Sequence, residues 1–317
     1  MLVSLRKKFA MTGNRWIYHV AAFLIVVVWG CTFVFTKLLL VEGLTPAQIF
    51  TLRFLIAYVL LLGWSLASKN HRWFCPSWRD ELLMLLLGVT GGSVYFLAEN
   101  SALNYTTTTN TSLIVCSCPL FASLLVSLFY KSQRMNKLQF VGALIAFFGV
   151  VVVVLNGRFV LHLSPVGDGL ALTACLCWAV YSLLMLPVNS RYNSILITRK
   201  VFFYGLLTMI PYYLLRPVEA GIFFSSSLLR LSPSAVFNLL FLGCIASMGC
   251  FLAWTWVMKR LGVVVTTNYV YVNPVATIVF AWWILSEHIT PYFILGTILI
   301  IAGMCLADKS SSWRSSV

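Results

Sequence analysis

Ten apolar runs, each about as long as a membrane-spanning helix, dominate this sequence. About 20 helical residues cross the roughly 30 Å hydrocarbon core of a bilayer. Only 9% of the 317 residues are charged and 61% are hydrophobic, so a soluble fold could not bury the apolar surface. We therefore predict an all-α membrane protein with a single membrane domain, residues 1–317. The runs are 17–40, 46–67, 81–103, 107–130, 137–155, 166–187, 194–215, 233–258, 263–285 and 291–307.

The basic residues predict how the chain is oriented. With the N-terminus in the cytoplasm, 17 of the 22 lysines and arginines lie on cytoplasmic segments. Three lie outside, at Arg158, Arg216 and Arg230, and Lys37 and Arg53 lie within runs. Membrane proteins keep such an excess in their short cytoplasmic loops. We expect both termini in the cytoplasm, and we attribute the net charge of +14 to topology and lipid contact rather than to nucleic-acid binding.

The second half of the sequence repeats the first at a shift of about 155 residues. Each copy holds five runs, an odd number, so the second copy must enter the membrane from the opposite side. Such an inverted repeat forms a central site shared by two similar bundles. We therefore expect two five-helix repeats, at 17–155 and 166–307. The matched pairs are Gly88 with Gly243, Leu97 with Leu252, Ala98 with Ala253, Thr111 with Thr266, Pro119 with Pro274, Gly142 with Gly296, Gly149 with Gly303, and Trp29 with Trp178.

Motifs in both halves point to one family. WGCTFVFTK (Trp29–Lys37), TLRFLIA (Thr51–Ala57), CSCPLFASLLVSLFY and its echo YVNPVATIVFAWWILSEHITPYFILGTILIIAG resemble the drug/metabolite transporter superfamily in its EamA branch. The resemblance covers nearly the whole chain. It implies a ten-helix transporter whose central cavity is lined mainly by helices 1, 3, 4, 6, 8 and 9. The acidic residue that the family often has before its last helix is Glu287, whereas the first half has Ser132 or Gln133.

Two prolines, Pro119 and Pro274, lie near the middle of matched runs. Each removes the hydrogen bond that the carbonyl four residues earlier, of Val115 or Val270, would accept in an α-helix. In hydrocarbon such a carbonyl needs a side chain, a water molecule or a solute as partner. We interpret both prolines as hinges for alternating access. The alternative is that they only kink their helices for packing.

Aromatic and polar side chains recur at helical spacing where the resemblance places the cavity. In the ninth run, Thr266, Tyr269, Asn273 and Thr277 would share one face. Any one aromatic residue could instead serve packing or an interfacial belt, so that alternative stays open. The candidate substrate-binding residues are Trp29, Thr32, Phe33, Tyr95, Glu99, Trp178, Tyr181, Trp254, Tyr269 and Asn273.

Ionisable residues within the runs are few and costly, which makes each a functional candidate. Glu99, Arg53 and Lys37 all lie near the outer ends of their runs, where they could form an ion pair. Glu99 could bind a proton or a substrate ammonium, or simply neutralise Arg53. We favour structural pairing for Arg53 and Lys37. We interpret Lys200 as a cytoplasmic anchor whose side chain reaches the membrane surface.

The sequence lacks the motifs of several enzyme classes. A GxxxxGK[ST] phosphate loop, an HExxH pair and a GxSxG elbow do not occur. The nine cysteines are scattered through the runs, so we read them as packing residues. We expect no catalytic residues, no cofactor and no metal.

An aromatic, hydroxyl- and amide-lined cavity suits a neutral, zwitterionic or cationic amphipathic molecule. We predict a secondary transporter of the bacterial inner membrane that exports an amino acid, metabolite or amphipathic drug. The alternatives are a membrane-embedded enzyme or receptor that uses the same cavity, and a flippase for a lipid-linked substrate. The expected partners are the lipid bilayer and the small-molecule solute. A coupling proton and a facilitator without coupling are equally compatible with the sequence, and we expect a monomer or a weak homodimer.

Overall fold

The structure is a computed structural model that describes residues 15–67, 73–102, 104–105, 111, 114–130, 135–155, 164–223, 231–285 and 290–312. All regular structure in these ranges is helical, as the composition predicts. The main helices are α1 (Arg15–Val41), α2 (Pro46–Ala67), α3 (Trp78–Ala102), α4 (Cys118–Phe129), α5 (Lys137–Leu155), α6 (Pro165–Arg191), α7 (Ser194–Leu215), α8 (Pro233–Leu261), α9 (263–285) and α10 (Pro291–Ser312).

Four of these helices depart from regular α geometry. α3 contains a π-helical segment at Val89–Ser93, and α8 contains one at Phe241–Gly249. The two segments coincide when the sequence is shifted by 155 residues, so the repeat extends to local irregularities. α9 contains a 3₁₀ segment at Tyr269–Val272. A turn at residues 208–209 interrupts α7 near its end.

Seven helices in the described ranges are long and apolar enough to cross a membrane. They are α1, α2, α3, α6, α7, α8 and the Val263–Phe280 part of α9. Shorter apolar helices lie at Cys118–Phe129, Lys137–Val153 and Pro291–Ala307, within α4, α5 and α10. The chain is therefore a multi-pass membrane protein, whereas ten crossings remain a prediction. Part of the run predicted at 107–130 lies outside the described residues.

Helix starts follow ordinary capping chemistry. The hydroxyls of Ser77, Ser164 and Ser232 accept hydrogen bonds from backbone N–H groups in the first turns of α3, α6 and α8. The Asn193 side chain does the same for α7. Such caps satisfy donors that have no partner within the helix. At the other end of α8, Gly262 has a φ of 87° and lets the chain turn directly into α9.

Contacts between the first five helices and the last five come in matched pairs. α1 packs on α8 and α9, and its counterpart α6 packs on α3 and α4. α2 packs on α8, and its counterpart α7 packs on α3. At two of these contacts a glycine lets the helices approach closely: Gly88 lies against Tyr204, and Gly243 lies against Ile56. The two halves are thus related by an approximate two-fold arrangement.

Two pairs of corresponding helices that touch run antiparallel. In the contact of α5 with α10, Gly142 lies against Gly303, and Gly149, two turns later, lies against Gly296. In the contact of α2 with α7, Phe54 packs on Phe202 and the Thr51 hydroxyl bonds that of Tyr213, at 2.9 Å. Helices that match in the repeat but run in opposite directions are what an inverted repeat requires.

One sequence-based interpretation is wrong. Lys200 does not reach the membrane surface but is buried, where its Nζ forms an ion pair with Glu81. The Tyr204 hydroxyl donates to the same carboxylate. A lysine can be buried when a carboxylate meets its charge. Glu81 lies 119 residues away in sequence, so helical periodicity could not indicate the pairing.

Candidate substrate cavity

A cavity lies between the two halves of the chain. Its empty space, with the solvent at its mouth included, is about 510 Å³, and about 50 Å³ of this can hold the centre of a water molecule. Helices α1, α3, α4, α6, α8 and α9 contribute to its wall, as the family resemblance implies, and α2 also contributes through Arg53. The lining residues are Trp29, Thr32, Arg53, Tyr95, Phe96, Glu99, Val115, Cys118, Trp178, Phe251, Val270 and Asn273.

Aromatic rings form most of the wall. Trp29 and Trp178, which correspond in the repeat, meet edge to face with ring centres 5.6 Å apart. The ring centre of Tyr95 lies 5.3 Å from that of Trp178. Such rings offer apolar faces for stacking and a negative π surface for cations. The wall therefore suits a solute with a flat or apolar part.

The two tryptophans differ in their hydrogen bonding. Trp29 Nε1 donates to the carbonyl of Ala246, in the π-helical segment of α8, at 3.0 Å. Trp178 Nε1 is buried and has no partner among the described residues, and the same holds for Asn273 Oδ1. An unpaired buried polar atom costs free energy that a bound molecule can recover. These two atoms therefore remain unpaired within the described part of the chain.

Two charged side chains share the cavity without touching. Arg53 is 3% exposed, and its Nε donates to Ser247 Oγ at 2.9 Å. Glu99 is 6% exposed, and its Oε1 accepts a hydrogen bond from the Tyr95 hydroxyl at 2.8 Å. No nitrogen of Arg53 lies within 4.0 Å of a Glu99 carboxylate oxygen, so the ion pair suggested by the sequence is not formed. Each side chain is instead held by a neutral hydroxyl. The Lys37 side chain lies outside the described part of the structure.

Toward the C-terminal ends of α6 and α8, buried aromatic rings lie beyond the cavity lining. Tyr181 is one turn beyond Trp178 and is 1% exposed, and Trp254 is one turn beyond Phe251 and is fully buried. Both rings pack behind the lining, Tyr181 on Trp178 at 5.2 Å and Trp254 on Trp29 at 4.9 Å. Tyr181 and Trp254 thus form a second aromatic layer behind the two lining tryptophans.

An ionic network lies at the same end. Arg191 pairs with Asp80 at 2.6 Å, and the Tyr192 hydroxyl donates to the other Asp80 oxygen at 2.8 Å. Together with the Lys200–Glu81 pair, this network joins the start of α3 to α6 and α7. The Cys75 backbone N–H donates to Glu81 at 2.9 Å. Burial, helped by the Glu81 carboxylate, raises the pKa of the Cys75 thiol to about 11.

Six predicted binding residues line the cavity: Trp29, Thr32, Tyr95, Glu99, Trp178 and Asn273. Tyr181 and Trp254 lie behind the lining. The Tyr269 hydroxyl bonds instead to His19 Nδ1 at 2.7 Å. The Phe33 side chain lies outside the described part, as do Ser132, Gln133 and Glu287. Solute binding by all of these residues stays a prediction.

The 3₁₀ segment explains why Tyr269 and Asn273 do not share a face. Four residues in 3₁₀ geometry turn a helix about 80° further than four residues in α geometry. The predicted stripe on α9 is therefore broken at residues 269–272. The sequence reveals this only indirectly, through Pro274, which lies two residues after the end of the segment.

Both predicted hinge prolines lie where a helix restarts. Pro119 is in the first turn of α4, after a turn at residues 116–117, and Pro274 follows the 3₁₀ segment. The carbonyl of Val270 was predicted to lose its partner, but it accepts the N–H of Asn273 because the 3₁₀ geometry brings that donor within reach. The hinge role itself stays a prediction.

Known proteins resemble the chain over nearly its whole length. A family model described as the EamA-like transporter family matches residues 16–155 and 165–307. An "Uncharacterized transporter" of Archaeoglobus fulgidus is 28% identical over 290 residues, which cover 91% of this chain and 96% of the relative. A "Probable amino-acid metabolite efflux pump" of Escherichia coli is 24% identical over 304 residues, with coverages of 94% and 97%. A protein of known crystal structure, 20% identical, superposes with a TM-score of 0.70 and coverages of 93% and 98%, which shows the fold alone.

Proposed function

This chain belongs to the EamA-like transporter family, and we propose that it is a secondary exporter of a small organic solute. The observation that carries the proposal is the cavity between the halves, with walls from α1–α4 in the first half and α6, α8 and α9 in the second. A site shared by two halves is exposed to either side of the membrane in turn when the halves rock against each other. A cavity inside one half would offer no such mechanism.

The proposed topology is ten crossings in two inverted five-helix repeats, at 17–155 and 166–307, with both termini in the bacterial cytoplasm. The antiparallel contacts of α5 with α10 and of α2 with α7 support it. In this orientation the start of α3 faces the cytoplasm. The ionic network around Asp80 and Glu81 then closes the inner end, and the cavity belongs to an outward-facing state.

The proposed solutes are amino acids, related metabolites and amphipathic drugs. The aromatic wall and the two charged groups favour molecules with an apolar part and ionised groups. The name of the Escherichia coli relative, an amino-acid metabolite efflux pump, points the same way. Glu99 is the lining carboxylate of the described cavity, so it is the proposed carrier if a proton drives export.

Counterflow in proteoliposomes tests the transport function. Vesicles that contain the purified chain are loaded with unlabelled L-phenylalanine or tetraphenylphosphonium, and uptake of the same labelled compound is followed. Transport predicts transient accumulation of label that requires unlabelled solute inside. A chemical product without exchange would indicate an enzyme, and saturable binding without exchange would indicate a receptor. Movement of a lipid-linked probe between leaflets would indicate a flippase.

Pro274→Ala tests the hinge. Restoring a backbone donor lets α9 continue as a regular helix, so we expect exchange to slow by about tenfold, which corresponds to about 1.4 kcal/mol in the barrier. Membrane insertion and thermal stability should be unchanged. Pro165→Ala, at the exposed start of α6, is the control and should exchange at the normal rate. Full activity in Pro274→Ala would leave kinking for packing as the role of this proline.

A further inference from the structure

We propose that Arg53 and Glu99 together bind a zwitterion, so that the exported solute is an amino acid whose carboxylate and ammonium are both ionised. The guanidinium of Arg53 would take the carboxylate, and the carboxylate of Glu99 would take the ammonium. The inference rests on the proposed function and deepens it, because it names the groups of the solute that the cavity recognises.

Arg53 has unused donors toward the cavity. Its Nε is bonded to Ser247, and the structure gives the side chain no other hydrogen bond within the described chain. The two terminal nitrogens are thus available in the fork geometry that suits a carboxylate. The Phe96 ring lies 4.6 Å from Cζ and holds the guanidinium in place. A lysine here would lack both the fork and the planar contact with the ring.

Glu99 has an unused acceptor toward the same cavity. Its Oε1 accepts the Tyr95 hydroxyl, and its Oε2 has no hydrogen bond within the described chain. Tyr95 packs edge to face on Phe96, with ring centres 4.9 Å apart. The ring stack therefore connects the supports of the two charged groups and fixes their separation.

The gap between the two groups is what makes them selective. They line one cavity but lie too far apart for a direct ion pair. A buried charge without a close partner is unfavourable. A solute that carries both charges compensates both groups at once. A solute with one charge leaves the other group unpaired, so a site of this kind rejects it strongly.

The remaining wall indicates what the rest of the amino acid resembles. Trp29, Trp178 and Phe251 present aromatic surface. This surface suits an apolar or aromatic side chain. L-phenylalanine is therefore the probe, and two analogues isolate its charges: 2-phenylethylamine lacks the carboxylate, and 3-phenylpropionate lacks the ammonium.

The first experiment measures how each analogue competes with labelled L-phenylalanine in counterflow through the full chain. For the unaltered chain we expect both analogues to compete at least about 100-fold more weakly than unlabelled L-phenylalanine. Equal competition by either analogue would overturn the zwitterion site. Counterflow of tetraphenylphosphonium without any of L-phenylalanine would overturn this inference while the exporter function stands. Absence of exchange with every probe would refute both.

The second experiment uses variants to change which of the two analogues competes better. Glu99→Gln removes the partner of the ammonium, so the ranking should shift toward 3-phenylpropionate, and Arg53→Gln should shift it toward 2-phenylethylamine. Each shift should reach at least about tenfold, which a merely structural role would not produce. The matched control is Arg216→Gln, which changes an exposed arginine outside the cavity. In this variant the ranking of the two analogues should be unchanged. If the single variants insert poorly, the double variant removes both buried charges and should fold but not exchange L-phenylalanine. Unchanged rankings in the single variants, or normal L-phenylalanine exchange in the double variant, would refute the assignment.

Discussion

Alanine at both Gly142 and Gly149 is expected to push α5 away from α10. A methyl group at Gly142 would lie 2.7 Å from the Gly303 carbonyl oxygen, and one at Gly149 would lie 2.7 Å from the Gly296 carbonyl oxygen. Ordinary contact begins near 3.4 Å, so the helices would have to separate by about 0.7 Å at each site. Backbone atoms block the way at both positions, and no side chain can rotate aside to make room.

The cost follows from this geometry. Overpacking of a closely packed contact costs about 1–3 kcal/mol per site. Two sites on one helix pair should therefore destabilise the protein by about 2–6 kcal/mol. The control is the double variant Gly63→Ala, Gly169→Ala, since a methyl group at either position meets no atom within 4 Å. These changes lie within helices and should stabilise by about 0.5–1 kcal/mol each.

Thermal unfolding in detergent, followed by tryptophan fluorescence, compares the two double variants. We expect the midpoint of the α5 variant to fall by several degrees and that of the control to stay level or rise. Larger side chains, such as leucine at Gly149, should lower it further. Equal midpoints for the two double variants would show that α5 and α10 are not in backbone contact, which would remove one support for the inverted arrangement.

Three further experiments test single contacts. Lys200→Met and Glu81→Gln each leave a buried polar partner behind, so each should lower the free energy of unfolding by about 3–5 kcal/mol, whereas the double variant should lower it far less. A strictly additive double-mutant cycle would refute the buried pair. Trp29→Phe should lower the free energy of unfolding by about 1 kcal/mol more than Trp178→Phe does, because Trp29 donates a hydrogen bond and Trp178 does not. Equal losses in thermal unfolding would contradict this difference. Cys75 should react slowly with maleimide at pH 8, because its raised pKa keeps the thiol neutral, and faster as the pH approaches 11. Glu81→Gln should lower the pKa of this thiol, and each pKa unit should speed the reaction with maleimide about tenfold. Peptide mass spectrometry follows the reaction. An unchanged rate would show that Glu81 has no influence on this thiol.

The helices and the aromatic cavity wall were predictable because both depend on local patterns. Apolar length placed the membrane-spanning helices, and the family resemblance, together with helical spacing and the repeat, placed Trp29, Trp178 and Tyr95 at one site. The repeat also paired Gly142 and Gly149 with Gly296 and Gly303, although only the structure reveals that these glycines touch. Local pattern and family resemblance together therefore predict which faces meet at the centre.

The charged groups were not predictable in the same way. Helical periodicity gives the face on which an arginine or lysine begins, but the direction in which a long side chain ends depends on partners from other helices. Ser247 draws Arg53 into the cavity, and Glu81 holds Lys200 in the interior. Phe251 and Phe96 line the cavity but could not be predicted, because an apolar residue in an apolar run does not indicate which residues it will contact.

The two glutamates of α3 explain how one helix can serve both ends of the molecule. Glu81 is in its first turn and Glu99 follows 18 residues later, about 27 Å along the axis. Glu81 is fully paired with Lys200, so the inner end needs no solute to be stable in the closed state. Glu99 and Arg53 are kept apart at the cavity, so their unpaired charges leave binding free energy for a solute. Under the proposed function, one helix carries a satisfied charge where the molecule is closed and an unsatisfied charge where it binds. Rocking of the halves must therefore break the first pair while a bound zwitterion compensates the second, which links opening of the inner end to occupancy of the site.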